Sequence, residues 1–146
     1  MSRFDINIPD DFFGNLFSVN VDDIFKETLE KAAPELEEKM KSEVQSNIKH
    51  ESTGELVESI SAFKPTKARN GAWIVFVGPK GYSKKYYYKG NRKRKYPLSN
   101  AGKLIMSELG TSHQPARPVI QKAVNACKAK VYEIMQQVYD EKVGEE

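Results

Sequence analysis

The sequence contains few of the side chains that reaction chemistry commonly requires. Among 146 residues there is one cysteine, Cys127, and there are two histidines, His50 and His113. One cysteine excludes an intrachain disulfide framework. A zinc site needs about four ligands at compatible spacing, and these residues do not supply them. We therefore expect no metal and no cofactor, and we expect that the protein is not an enzyme.

Long apolar runs are also missing, and so are carboxylates in the middle of the chain. No apolar stretch approaches the roughly 20 residues that span a bilayer, and residues 1–5 do not resemble a secretory signal. We expect synthesis in the cytoplasm and no membrane contact. Residues 59–107 carry 12 basic and no acidic side chains, whereas residues 1–58 carry 14 acidic and 6 basic ones. Such a positive surface is expected to meet nucleic acid or an acidic neighbouring subunit.

The first third of the chain predicts an arm followed by helices. Residues 1–20 are rich in Phe, Ile and Leu without a sustained period, and they form an arm that packs either on its own domain or on a neighbour. Apolar residues at spacings of three and four then predict a short helix over 22–32, capped by Asp22 or Asp23. Because proline suits a first helical turn, Pro34 predicts that a second helix begins there and runs to residue 49.

The second half of the chain predicts two further helices. Asn100 can cap a short helix that runs through Leu109 and ends at Gly110. Pro118 suits the first turn of a last helix, whose apolar residues again recur at spacings of three and four. Residues 141–146 are expected to be a frayed tail.

Between the helices, apolar and β-branched residues predict strands. Residues 60–67 and 72–77 read as a hairpin that turns at Asn70-Gly71, and Pro65 makes the first of them an edge or bulged strand. The second strand is apolar on both faces, so either helices cover both faces or a neighbouring subunit covers one. The expected fold class is α+β. A small antiparallel sheet of three or four strands packs against a long N-terminal helix and a C-terminal helix, in one domain over 21–140.

The basic segment 82–96 is the stretch most indicative of a partner. Lysine and arginine attract phosphates, and tyrosine can stack on bases, so the segment fits DNA. It also fits a solvated loop or a contact with an acidic helix of a neighbouring subunit. The residues predicted to face DNA or a subunit interface are Lys84, Lys85, Tyr86, Tyr88, Lys89, Arg92, Lys93, Arg94 and Lys95.

Three short motifs occur in a fixed order along the chain. They are STGELVESI at 52–60, ELGT at 108–111 and PARPVIQKA at 115–123. Together they resemble the gene-product-ten-like family of long-tailed bacteriophages and prophages, whose members are head–tail joining or tail completion proteins. The resemblance covers roughly residues 20–140. Leu109 stands where the family usually has an aromatic residue, and Val119 where it usually has Phe.

The resemblance implies an α+β subunit that assembles into a ring at the neck of the virion. Its partners would be further copies of itself, the portal or connector, the tail tube and the double-stranded DNA that passes through. It would occupy the host cytoplasm during assembly and the virion neck afterwards. The motif residues expected to shape turns are Thr53, Gly54, Leu56, Glu108, Gly110, Thr111, Arg117 and Pro118.

Two other functions are open on the sequence alone. A monomeric basic module that binds nucleic acid would use the same lysines and arginines. A small toxin-like nuclease would need an acid–base pair. Glu108 is the first carboxylate after the basic stretch, but we expect it to bond Arg117 across a short loop instead of serving as a catalytic base.

Overall fold

A computed structural model of the protein describes residues 20–48, 53–83, 88–89, 92–93 and 97–144. The predicted arm, apart from Asn20, and the first residue of the STGELVESI motif, Ser52, lie outside these residues. The chain is α+β: a long N-terminal helix and a long C-terminal helix lie side by side, and short helices and small antiparallel sheets pack on them.

Helix α1 (Val21–Asn47) is one continuous helix, so the prediction of two helices divided at Pro34 is wrong. A proline inside a helix removes a hydrogen bond and costs about 3 kcal/mol. The apolar stripe on both sides of Pro34 is buried, including Ala32, Met40 and Val44. Burial of a large apolar side chain contributes about 1.5–3 kcal/mol, so a few such contacts outweigh the proline.

The cap of α1 lies two or three residues before the predicted cap, Asp22 or Asp23. The side chain of Asn20 accepts a hydrogen bond from the backbone N–H of Asp22 at 3.2 Å, so Asn20 is the cap. Asp22 and Asp23 lie in the first helical turn instead. Negative charge is favourable there because the free N–H groups give that end of the helix a partial positive charge.

The last helix, α4 (Val119–Val143), runs antiparallel to α1. At one end Lys31 Nζ lies 3.3 Å from Glu141 Oε2, and Lys142 Nζ lies 3.0 Å from Glu27 Oε2. At the other end, Lys122 Nζ donates a hydrogen bond to Asn47 Oδ1 at 3.0 Å. The helix thus continues through residues 141–143, where the sequence predicted a frayed tail.

A short helix leads into a long hairpin. Helix α2 (Thr53–Ser59) is followed by β1 (Ile60–Ala62), β2 (Thr66–Lys67), β3 (Trp73–Ile74) and β4 (Val77–Pro79). Strands β1 and β4 pair antiparallel with Ala62 opposite Val77, and β2 and β3 pair antiparallel with Lys67 opposite Trp73. The two ladders are successive parts of one hairpin, since Phe63 N donates to Phe76 O at 2.8 Å between them.

The hairpin turns at the predicted position, but Asn70 and Gly71 do not form a two-residue turn. Gly71 N donates to Ala68 O at 2.9 Å, and Ala68 N donates to Ala72 O at 2.8 Å. Gly71 has a φ of 84°, while no residue other than glycine has a positive φ in the described part of the chain. This is a three-residue loop with glycine in the left-handed position, and Asn70 does not share that conformation.

The sheet is more fragmented than predicted. Among the described residues there are three two-stranded sheets, β1–β4, β2–β3 and β5–β6, in place of one sheet with three or four strands. Strands β5 (Tyr88–Lys89) and β6 (Arg92–Lys93) pair antiparallel with each other. Pro65 explains the break between β1 and β2, because proline has no N–H to contribute to a ladder. Strand β4 extends two residues beyond the predicted strand, through Gly78 and Pro79.

Helix α3 (Asn100–Leu109) lies between the sheet and α4. Its cap is Ser99, whose hydroxyl accepts a hydrogen bond from Gly102 N at 3.0 Å, so Asn100 is its first residue instead of its cap. Gly110 ends the helix as predicted, with a φ of 75°.

The core divides the α1–α4 pair into two halves. In the closed half, around residues 40–47 of α1 and 119–123 of α4, α2, β1 and α3 cover the helices. The buried side chains there are Met40, Val44, Ile48, Leu56, Ile60, Leu104, Val119 and Ala123. In the open half, residues 21–36 and 124–143, a smaller cluster of Ala32, Ile134 and Val138 fills the seam between the helices. None of the described helices is long and apolar enough to cross a membrane.

Candidate interaction surfaces

The basic segment leaves the domain from a fixed stem. Ser83 N donates to Leu98 O at 2.8 Å, and Asn100 N donates to Gly81 O at 3.0 Å, so both ends of the segment are held together. The buried Asn100 side chain adds a third bond, from Nδ2 to Lys80 O at 2.8 Å. The stem places the segment between β4 and the start of α3.

Four of the nine predicted interface residues form a short ribbon. Tyr88 pairs with Lys93 and Lys89 pairs with Arg92, as backbone partners in the β5–β6 hairpin. Lys84, Lys85, Tyr86, Arg94 and Lys95 lie outside the described residues. A two-stranded ribbon without carboxylates can follow a polyanion or an acidic protein surface.

Within the first family motif, Thr53–Ser59 form α2 and Ile60 begins β1. Gly54 lies in the first turn of α2 rather than in a turn of its own, and a Cβ there would meet nothing within 4 Å. Leu56, by contrast, belongs to the core of the closed half. Glu55 Oε2 lies 3.5 Å from Lys103 Nζ of α3, and Lys103 is buried. This ion pair between α2 and α3 was not predicted, because neither residue stands out in a charged sequence.

The second and third motifs meet at the start of α4. The Glu108 carboxylate accepts hydrogen bonds from Ile120 N at 2.8 Å and from Gln121 N at 3.2 Å. It therefore satisfies two free N–H groups of α4, in place of the predicted bond to Arg117. Arg117 contributes through its backbone, since its N–H donates to Ser107 O at 2.7 Å. Pro118 immediately precedes the helix as its N-cap residue.

Gly110 is the motif residue with a strict steric requirement. A Cβ at this position would lie 2.6 Å from Ala116 N and 3.0 Å from Gln114 O. Its positive φ adds a backbone conformation that other residues rarely adopt. Thr111 closes the loop by donating its N–H to Gln114 O at 2.9 Å. The motif thus fixes how α3 connects to α4.

An apolar groove of about 520 Å³ in the open half was missed by the sequence reasoning. It lies between α1, α4 and residues 75–77 of the hairpin. The polar residues along it are Gln121, Asn125 and Lys128, on the α4 side. The apolar side chains that line it are Leu29, Ala32, Ala33, Leu36, Val75, Val77, Val124, Val131 and Tyr132. Val124 and Tyr132 lie beside the buried apolar stripe of α4. The extra width that they give to this apolar stripe is the sequence feature that could have predicted the groove.

The outer face of the hairpin is a second apolar surface. Phe63, Ile74 and Phe76 are 44%, 37% and 65% exposed, and Lys80 Nζ stands 4.1 Å from the centre of the Phe63 ring. The inner face, with Trp73, is half-buried toward α1. The strand is apolar on both faces as predicted, and the helices cover one of them.

Two carboxylates tie α1 to this hairpin. Trp73 Nε1 donates to Asp22 Oδ1 at 2.9 Å, and Lys67 Nζ lies 2.5 Å from Asp22 Oδ2. The hydrogen bond from Lys67, and then that from Trp73, lowers the pKa of Asp22 below its usual 3.8. Glu37 accepts a hydrogen bond from Ala62 N at 2.7 Å. Its pKa is lowered by Lys41 first and by that N–H second.

The described residues hold no group of three or more His, Cys, Asp or Glu side chains that could bind a metal ion. Cys127 is buried on α4, where its Sγ lies 3.5 Å from Val124 O. The arrangement is suited to binding apolar or anionic partners through surfaces.

Comparison of the chain with protein-family models, with curated proteins and with solved structures found no match.

Proposed function

We propose that the protein is a structural subunit of the neck of a tailed phage or prophage. In this proposal it is a head–tail joining or tail completion protein, without catalytic activity. It forms a ring between the portal or connector and the tail tube, after synthesis in the host cytoplasm. The single observation that carries the proposal is the exposed outer face of the hairpin. Adjacent exposed phenylalanines at Phe63 and Phe76 mark a surface that a further subunit can cover.

The distribution of charge supports a head-to-tail contact between copies. Helix α1 carries exposed acidic residues, including Asp23, Glu30 and Glu38, whereas the β5–β6 ribbon belongs to the stretch without carboxylates. When two different surfaces of one chain are complementary, repeated contacts generate a ring if the rotation closes. Pairs of opposite charge set the orientation and register of such contacts.

The positions of the motifs support the family resemblance. Leu56 of the first motif and Val119 of the third lie far apart in sequence but belong to the same buried cluster. Glu108 of the second motif bonds the first turn of the helix that the third motif begins. Three motifs that build one region together are more specific than three unrelated short matches.

Assembly with the neighbouring proteins tests the proposal directly. The full chain would be mixed with phage portal and tail tube proteins, and native mass spectrometry would measure the stoichiometry. We expect a ring of several copies. Phe76→Glu should weaken ring formation by at least about tenfold, because a charge on a buried interface loses its hydration. Ile105→Glu, at an exposed apolar residue of α3, is the matched control and should assemble normally.

The outcome that contradicts the proposal is a chain that stays monomeric with both partners, or rings that Phe76→Glu leaves intact. Replacement of 92–95 by serines should leave the fold intact and reduce assembly or DNA retention. Infectious particles at wild-type yield would contradict that second expectation.

The basic ribbon favours one alternative, a monomeric module that binds nucleic acid. Two-stranded ribbons can lie in a DNA groove, and contacts to phosphates make such binding strongly salt-dependent. The alternative predicts a salt-sensitive gel shift by the monomer, lost on the joint replacement Arg92→Ser and Lys93→Ser. A monomer that retards DNA in the gel and forms no ring would support the nucleic-acid-binding alternative.

A further inference from the structure

Helix α4 carries a second apolar stripe, which the described part of the chain leaves exposed. The side chains of Val124, Tyr132, Met135 and Tyr139 are between 40% and 59% exposed. Their spacings of eight, three and four residues place them on one face of the helix. Val124 and Tyr132 also line the groove of the open half, so the stripe continues from the groove toward the end of α4. Large apolar side chains aligned in this way mark a surface that a partner can cover.

The charges along α4 change sign near the middle of this exposed stripe. Three lysines and no acidic residue stand in residues 119–131, which therefore carry +3. Three acidic residues and one lysine stand in residues 132–143, which therefore carry −2. The charged residues are Lys122, Lys128 and Lys130 in the first half and Glu133, Asp140, Glu141 and Lys142 in the second.

One charge in each half is left for a partner. Lys128 and Asp140 take part in no ion pair among the residues that the structure describes. Lys128 lies at the exposed stripe, since its Nζ stands 6.0 Å from the centre of the Tyr132 ring. A partner of this face should therefore be apolar, with negative charge toward the start of α4 and positive charge toward its end.

A second copy of α4, turned end for end, has these properties. Its acidic half lies along the basic half of the first copy, and its apolar stripe meets the same stripe. A twofold axis near residue 134 generates this arrangement and places Lys128 of each copy level with Asp140 of the other, six residues from the axis. Contacts of this self-complementary kind are the commonest in oligomers. The antiparallel orientation also brings opposite ends of the two helix dipoles together, whereas a parallel pair would oppose like charges.

The size of the face fits a weak dimer. From Val124 to Tyr139 the stripe spans about 22 Å at 1.5 Å per residue, and a helix with its side chains is about 10 Å wide. Such a face, even with the mouth of the groove beside it, is smaller than the roughly 800 Å² that each partner buries in a complex of standard size. We therefore expect a dissociation constant in the micromolar range.

We propose that α4 is the contact surface of a homodimer. The exposed stripes of two copies pack antiparallel across a twofold axis near residue 134, and the second copy covers the mouth of the groove. This contact uses a different face from the outer side of the hairpin, and it does not depend on the proposed role in a phage neck.

Sedimentation equilibrium of the full chain at low salt tests the proposal. We expect a monomer–dimer equilibrium for the wild type. Tyr132→Glu should raise the dissociation constant at least about tenfold, because it places a charge without hydration in the centre of the contact. Tyr132 is exposed in the monomer, so the substitution should leave the circular dichroism unchanged. Ile105→Glu, at a similarly exposed apolar residue of α3, is the matched control and should dimerise like the wild type.

Charge reversal tests the orientation of the two helices. Lys128→Glu should raise the dissociation constant at least about threefold, because the new carboxylate faces the acidic half of the second copy. The addition of Asp140→Lys in the same chain should bring the constant back to within about twofold of the wild-type value, since the reversed charges attract again. Both differences should shrink at high salt, which screens exposed charges.

Three results would overturn the proposal. The first is a wild-type chain that stays monomeric up to about 1 mM, which is too weak for a specific contact. The second is a dimer that Tyr132→Glu leaves intact. The third is a dimer that Lys128→Glu does not weaken, or that Asp140→Lys does not restore, because a parallel or unrelated contact would behave in this way.

Phe76→Glu separates this contact from the proposed ring. The substitution should impair ring formation and leave the α4 dimer intact, because Phe76 lies on the outer face of the hairpin. Loss of the dimer in Phe76→Glu would assign the dimer to the hairpin and contradict the proposal for α4. A dimer that persists in a chain that forms no ring would contradict only the proposed role in a phage neck.

Discussion

The two halves of the α1–α4 pair differ although the same two helices build them. In the closed half, α2, β1 and α3 cover the helices, and Ile60, Val44 and Val119 are almost fully buried. In the open half, side chains such as Leu29 and Leu36 line a groove of about 520 Å³. The comparison shows that one apolar stripe can serve two purposes. It forms a core where other elements cover it, and it lines an open groove where they do not.

The difference has a consequence for stability within the molecule. Local opening has the lowest free energy where few apolar contacts hold the backbone. We therefore expect the closed half to set the global free energy of unfolding. In the open half, backbone amides should exchange through local opening, and partners should bind, with little effect on the global free energy of unfolding. Three variants, ordered by the size of their effect, test this contrast.

The largest effect is expected for a truncation in the closed core. Ile60→Ala should lower the free energy of unfolding by about 2–5 kcal/mol, since it removes buried methyl groups and leaves a cavity. Leu29→Ala, in the groove, removes a similar volume from a half-buried site and should lower it by about 1 kcal/mol. Urea denaturation measures both. Equal losses would show that the open half is as tightly packed as the closed one.

A smaller effect is expected at the loop that connects α3 to α4. Gly110→Ala places a Cβ within 2.6 Å of Ala116 N at a positive φ, so the loop must shift. We expect a loss of about 2–3 kcal/mol. Gly54→Ala is the matched control, because a Cβ there meets open space in a helix, and it should be neutral or slightly stabilising. Thermal unfolding measures the stability of both variants. Equal unfolding temperatures for Gly110→Ala and Gly54→Ala would contradict this account.

The smallest effect is expected at the open half and depends on pH. Hydrogen bonds from Lys67 and Trp73 hold the pKa of Asp22 below 3.8, so the folded state favours the ionised carboxylate. This contribution to stability is fully present above pH 3.8 and is lost as the pH falls through the lower folded pKa. Asp22→Asn should therefore remove part of the acid dependence of unfolding. Asp23→Asn, in the same helical turn, is the control and should leave the acid dependence of unfolding unchanged.

Local patterns in the sequence predicted the helices and the turns well. The spacing of apolar residues located α3 and α4, and Gly110 ended α3 as expected. Such features depend on residues close together in the chain. The continuity of α1 through Pro34 could not be read in this way, because the burial of Met40 and Val44 against distant elements outweighs the local cost of proline.

The sheets and the interaction surfaces were harder to predict for the same reason. The Asn70-Gly71 turn predicted the hairpin and Pro65 predicted an irregular first strand, but the pairing of β1 with β4 and of β2 with β3 in separate ladders was not predicted. The groove depends on where Val75 comes to lie beside α4, which no spacing within either segment encodes. The sequence singled out Glu108 as an isolated carboxylate. Its hydrogen-bond partners are backbone N–H groups of α4, which no sequence pattern identifies.

The bond between Trp73 and Asp22 gives the protein an internal optical probe. Trp73 is the only tryptophan in the chain, and its indole N–H is bonded at the open half, far from the buried cluster of the closed half. Its fluorescence therefore reports on the hairpin and the start of α1, whereas circular dichroism reports mainly on the helices. Overlaid denaturation curves from the two signals, without any label, would reveal whether the molecule melts in one step or loosens first beside the groove.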